Sequence, residues 1–136
     1  RSVLEGYAAR LAALKHAESD LEPLEAHIKM FQKHLDKREM EILPDINTEF
    51  HDMLYALSKS PRLIKMINDL KEQIYRFRQM ILRDADLAAI SNEDHRQMLD
   101  YIQRRDAAGV EKLVREHLMR GQAAVIRFIA EEEGGG

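Results

Sequence analysis

The sequence predicts an all-α chain, an antiparallel bundle of about six helices. Apolar residues recur at helical spacing nearly throughout the 136 residues, while the alternating runs of Val, Ile and Thr that mark strands are absent. Composition agrees with one packed domain: 45% hydrophobic and 33% charged residues, 6 Gly, 3 Pro and no Cys exclude collagen-like, disulfide-stapled and disordered chains. A domain of this length buries roughly two-thirds of the surface its unfolded chain exposes, enough for a core with an internal pocket.

The first helix is expected from about Arg1 to Ala17, with Leu4, Ala8 and Leu11 on one face. The second starts near Asp20, tolerates Pro23 in its first turn and carries Leu21, Leu24, Ile28, Phe31 and Leu35. Pro44 opens a third that ends near Ser58. Ser60-Pro61 reads as an N-cap followed by proline at the first helical position, opening a fourth helix to about Leu82 with the stripe Leu63, Ile67, Leu70, Ile74, Phe77 and Ile81. Ser91 with Asp94 three residues on resembles a capping box and opens a fifth to about Arg104. Asp106 caps the sixth, which runs to about Glu131 and leaves 131–136 as a disordered polar tail.

A net charge of −3 lacks the basic field that phosphate-backbone binding requires, so this chain is not expected to grip DNA alone. The absence of cysteine removes disulfides and thiolate metal sites and suits a cytoplasmic setting. No apolar run approaches the roughly 20 residues of a membrane span. The opening Arg1-Ser2-Val3-Leu4-Glu5 looks like neither a translation start nor a signal peptide. A longer protein containing this domain is the expectation.

Six histidines raise the question of a metal, and direction on each helix decides which ones matter. His117 falls in the middle of the inward face set by Val110, Val114, Gly121, Ala124 and Phe128. His95 shares its face with Met98, Leu99 and Ile102, and His51 lies with Asn47, four residues before it, along the border of the third helix's apolar face. His27 and His34 lie well off the second helix's stripe and His16 sits near the end of the first helix, and all three are expected in solvent. Two accounts of the inward three stand side by side. They are separate core histidines, each bonded to a carbonyl, or they share a divalent cation, for which three imidazoles and an oxygen donor suit Zn²⁺ or Ni²⁺ better than Ca²⁺ or Mg²⁺.

These residues carry a family resemblance. Arg1-Ser2-Val3-Leu4-Glu5 with Ala8–Ala13 is similar to the first helix of the FCD ligand-binding domain, the C-terminal half of FadR-type regulators in the GntR family of bacterial transcription factors. Asn47-Thr48-Glu49-Phe50-His51 resembles its D/N-x-x-F-H motif, Ser60-Pro61-Arg62-Leu63 its N-P-x-L turn, Glu93-Asp94-His95 its E-H, Arg105-Asp106 its helix break and Glu116-His117-Leu118 its closing H-L. The resemblance covers essentially the whole chain. It implies an effector-sensing domain over 1–130, a bundle whose central cavity holds a divalent metal, Zn or Ni, bound through Asn47, His51, His95 and His117, and a small carboxylate effector. Arg78, which borders the inward face while Arg76 points away, is the preferred carboxylate partner, and Arg1 is the second candidate. Many members have Asp where this chain has Asn47, so the implied shell lacks a formal negative charge.

The resemblance further implies DNA binding through an N-terminal winged helix-turn-helix domain outside this chain, and a homodimer to match palindromic operators. Two rival classes are a metal-dependent helical enzyme and a ligand-free structural dimerisation domain. The enzyme reading lacks a Ser or Cys nucleophile motif, and Glu49, Asp52 and Asp94 have no clear role as a general base.

Overall fold

Helix α1 (Ser2–Lys15) is built to sit deep, because Ala8, Ala9, Ala12 and Ala13 are small and wholly buried. Its closest neighbour is α7 (Ala107–Gly134), and the contacts run in opposite order along the two chains: Gly6 lies on Arg115, Arg10 pairs with Glu111, and Ala13 receives a hydrogen bond from Arg105 just before α7. The pair is therefore antiparallel. Glycine at position 6 is required by this approach, since a Cβ would stand 2.7 Å from Arg115 Cγ. The computed structural model describes residues 1–134.

A 3-10 turn at Glu18–Asp20 leads into α2 (Leu21–Asp36), which buries Leu24, Ile28, Phe31 and Leu35 at the expected spacing. A second such turn, Met40–Ile42, precedes α3 (Leu43–Ala56), with Pro44 in its first turn. Then come α4 (Pro61–Asn68), α5 (Lys71–Ile81) and α6 (Ala85–Gln103). Among the described residues there are seven α-helices and no strand. One core joins α1, α2, α3, α4, α6 and α7 through residues such as Phe50, Leu54, Ile102 and Val114. A smaller one gathers Phe31, Leu35, Leu43, Ile46, Leu82 and Ala88.

The turn between α6 and α7 does two jobs. Arg105 takes the left-handed conformation, φ 56°, that ends a helix and usually falls to Gly or Asn. Its guanidinium then donates to the carbonyls of Ala13, Leu14 and His16 at 3.3, 3.3 and 3.0 Å, closing the otherwise unpaired C-terminus of α1 with a favourable positive charge. Asp106 caps α7 as expected, its Oδ1 accepting from the Gly109 amide at 2.9 Å.

Four expectations are corrected. The predicted fourth helix is two, α4 and α5, broken at Leu70, whose φ −102° and ψ 5° leave the helical region. Leu63 and Ile67 pack into the main core, whereas Ile74 and Arg78 beyond the break turn toward α3 and α7. A helical stripe of unbroken period cannot register that change of axis. The predicted fifth helix starts six residues earlier than Ser91, at Ala85, because Asp84 is the true N-cap: its carboxylate accepts from the Asp86 and Leu87 amides at 2.9 and 3.0 Å. Ser91 and Asp94 are buried in the helix interior. The predicted tail is helical through Gly134, and 135–136 lie outside the described residues. Finally, His16 is buried and its Nδ1–H donates to the Ala12 carbonyl at 2.8 Å. It follows the last residue of α1 with an extended backbone that turns the ring back onto the helix, so a place at the helix end does not mean exposure here.

Candidate functional site

Asn47 and His51 occupy successive turns of α3, and they are buried, at 3% and 1% exposure, not on the border of the apolar face. His95 comes from α6 and His117 from α7. The three imidazoles converge: one ring nitrogen from each lies within 4.8 Å of the others. His51 Nε2 and His95 Nε2 stand 3.2 Å apart. Phe50, one residue before His51, stacks on the His95 ring at 4.3 Å between centroids and fixes its plane. His27 and His34 are half-buried elsewhere, paired with Glu49 and Glu39.

Each imidazole's protonation is set by what lies behind it. Burial first, then the nearby Arg78 and the other histidines, hold His51 well below the ordinary histidine range, and burial and His117 do the same for His95. Both rings are therefore neutral. Burial and Glu5 push the Tyr55 phenol well up, so it keeps its proton and donates it to Glu5 Oε1 at 2.9 Å. Tyr55 must then accept from His51 Nδ1–H at 3.1 Å, which leaves the His51 Nε2 lone pair facing His95. Glu5 is 1% exposed and its other oxygen takes the Arg1 Nε–H at 2.8 Å. On the opposite side, His117 Nδ1–H donates to Asp94 Oδ2 at 2.8 Å, which leaves Nε2 as the ring atom free to face a ligand. Burial alone would raise the Asp94 carboxyl, but hydrogen bonds and charge from His117 and Arg120 outweigh it and hold the group low.

A cavity of about 300 Å³ opens beside these rings, with His51, His117 and Asn47 at its inner end. Asn47 Oδ1 is buried and has no hydrogen-bond partner. Such an orphan costs about 1–3 kcal/mol when left unmet. Arg78, 8% exposed, also faces the cavity and gives one N–H to Thr48 Oγ1 at 3.1 Å. Among the described residues it has no carboxylate in ion-pair range, and burial lowers its pKa from the ordinary guanidinium value. Arg1 lines the cavity too, but its Nε is committed to Glu5.

The sequence model of the FCD domain matches residues 1–120. The chain belongs to the FCD family. This is the C-terminal effector-binding domain of GntR-family regulators, an all-helical bundle. No curated protein matches the sequence. The His51–His95–His117 cluster of this FCD domain could hold a metal ion. The donor chemistry fits one: imidazole nitrogens and an unpartnered amide oxygen are ligand types that such ions accept, and two of the rings have an orienting partner behind them, as metal-bound histidines do. Glu5, Tyr55 and Asp94 supply that support and were missed as a group in the sequence. The pairs Arg1–Glu5 and His51–Tyr55 are each four residues apart on one helix, a spacing that could have found them.

Proposed function

We propose that this FCD domain binds a divalent metal, Zn²⁺ or Ni²⁺, through Asn47, His51, His95 and His117, and a small organic acid at Arg78 beside it. Binding the acid then alters how an attached winged helix-turn-helix domain sits on DNA, in a homodimeric regulator. The observation that carries the reading is the unpartnered Asn47 Oδ1 beside three converging imidazoles on a cavity that also presents Arg78. When bound, the metal supplies a fixed positive charge that draws a carboxylate. Arg78 provides the planar two-pronged donor that orients it. Arg1, whose Nε–H is taken by Glu5, lines the same cavity and is the second candidate for the acid.

FCD domains are regulatory ligand-binding domains, and the site suits that use. Asp94 is hydrogen-bonded to both His117 and Arg120, an orienting arrangement in which its lone pairs are already engaged. Glu49 is exposed and paired with His27. Among the described residues no helix is long and apolar enough to cross a membrane.

The deciding experiment is thermal unfolding of chelator-treated protein with metal and acids added back. Zn²⁺ at a hundred times its Kd stabilises by about 2.7 kcal/mol, a rise in Tm of roughly 10 °C for a domain of this size. An unchanged Tm with both metal and organic acids would favour a ligand-free dimerisation domain instead. A second expectation concerns Asn47→Asp, which restores a formal charge to the shell. It should raise Zn²⁺ affinity about tenfold, and by titration calorimetry weaken acid binding because less positive charge remains uncompensated.

A further inference from the structure

Beyond Asn47, His51 and His117 much of the cavity wall is carbon. Ile81 and Leu82 at the end of α5, Leu87 and Ile90 of α6, and Leu118 and Ala124 of α7 line it. Ser91 is the one hydroxyl among the lining residues. The cations around it are nearly all taken: Arg1 is held by Glu5 at 2.8 Å and Arg120 by Asp94 at 3.0 Å, and Arg127 is exposed at the rim, where hydration leaves little net attraction. Among the described residues that line it, Arg78 alone is a buried arginine without a carboxylate.

That arrangement has one place for an anionic group and few hydrogen-bond partners for anything attached to it. Resting on the metal-and-acid reading above, we infer that the effector is a monocarboxylic acid with an apolar body, branched aliphatic or aromatic, bearing at most one hydroxyl. A polyhydroxylated acid would bury hydroxyls against Leu and Ile with few partners, and a di- or tricarboxylate would bring a second charge to arginines already paired with Glu5 and Asp94 or exposed at the rim. A volume of about 300 Å³ lies at the small end of ligand pockets, in keeping with an acid of compact size.

Gly121 sets how far that body extends. It follows His117 by one turn of α7 and lines the cavity, and a Cβ there would meet only the Ile81 Cδ1 tip, at 3.1 Å. A side chain at 121 therefore occupies space the ligand would use, and a small shift of one flexible methyl accommodates it. Glycine is otherwise unfavourable in a helix interior, so the open space is the feature it provides.

The test is calorimetric titration of the Zn²⁺-loaded chain with phenylacetate, 4-methylpentanoate, acetate, gluconate and citrate. Phenylacetate and 4-methylpentanoate should bind at least about tenfold tighter than gluconate or citrate, the scale on which apolar pockets discriminate. Gly121→Val should weaken phenylacetate about tenfold, while acetate and Zn²⁺ affinities stay within about twofold. Gluconate or citrate binding as tightly as phenylacetate overturns the apolar class and leaves the metal-and-acid reading standing. If none of the five acids binds, that reading fails and takes this inference with it. An unchanged phenylacetate affinity in a folded Gly121→Val chain removes the role of Gly121, and the wild-type acid series stands on its own should the variant not fold.

Discussion

His95→Ala is expected to lower Zn²⁺ affinity at least a hundredfold, about 2.7 kcal/mol, because it removes one of only four donors. No other side chain is placed to substitute: His95 is 1% exposed, its Nε2 is 3.2 Å from that of His51, and Phe50 and Phe31 fill the other sides of its ring. The truncation also leaves a hole in the core, so the variant should melt lower by roughly 2–3 kcal/mol even without metal. Affinity is therefore best read by competition with a chelating dye at a temperature where circular dichroism shows the variant folded. Tyr55→Phe separates donor loss from orientation. It keeps every donor, frees His51 Nδ1 and strips Glu5 of one hydrogen bond, and should cost about ten- to a hundredfold in metal affinity. Zn²⁺ affinity within about threefold of wild type in His95→Ala would mean that the rings meet for packing alone.

Arg78→Met should have opposite effects on binding and stability. Truncating a buried partner of a carboxylate costs 2–5 kcal/mol, so acid affinity should fall by about a hundredfold or more. The folded chain, by contrast, should become more stable. Wild-type Arg78 sits at 8% exposure with Thr48 as its hydrogen-bond partner, and burial depresses its pKa, the mark of a charge kept dry at a cost. Methionine keeps much of the volume and removes the charge, and replacing an under-compensated buried charge by a well-packed apolar group stabilises by about 1 kcal/mol or more. Thermal unfolding without ligand and calorimetry with the acid check both halves. A lower Tm together with unchanged acid affinity would assign Arg78 to the fold and not to the ligand.

How much of this was legible in the sequence follows from what each signal encodes. Apolar spacing reports which face of a helix is wet, so α2, with Leu24, Ile28, Phe31 and Leu35, was readable residue by residue. The same logic put His95 and His117 inside their stripes and His51 at the edge of its own, apart from His27 and His34, while it misjudged His16 at the end of α1. Spacing carries nothing about the direction of the axis. The break at Leu70 went unseen for that reason, although a single residue there re-aims Arg78. Capping signals compete: Ser91 with Asp94 made a plausible start, but Asp84 lies before a run of good helix formers and bonds two amides. The partners behind the imidazoles were hardest to see. Glu5 lies 50 residues from Tyr55 and Asp94 lies 23 from His117, contacts that exist only once the helices have been assembled.

Asn47 gives the site a neutral oxygen donor, and a thermodynamic reciprocity follows. A seated dication would meet no negative ligand in its shell, and the incoming acid would supply the first. Whatever factor the cation contributes to the acid's affinity, the acid must return to the cation, because both describe one closed cycle. A chain depleted of its ion would then respond weakly to the metabolite, and a chain saturated with the metabolite would hold its ion against competitors. The domain would report the two together, as a coincidence detector.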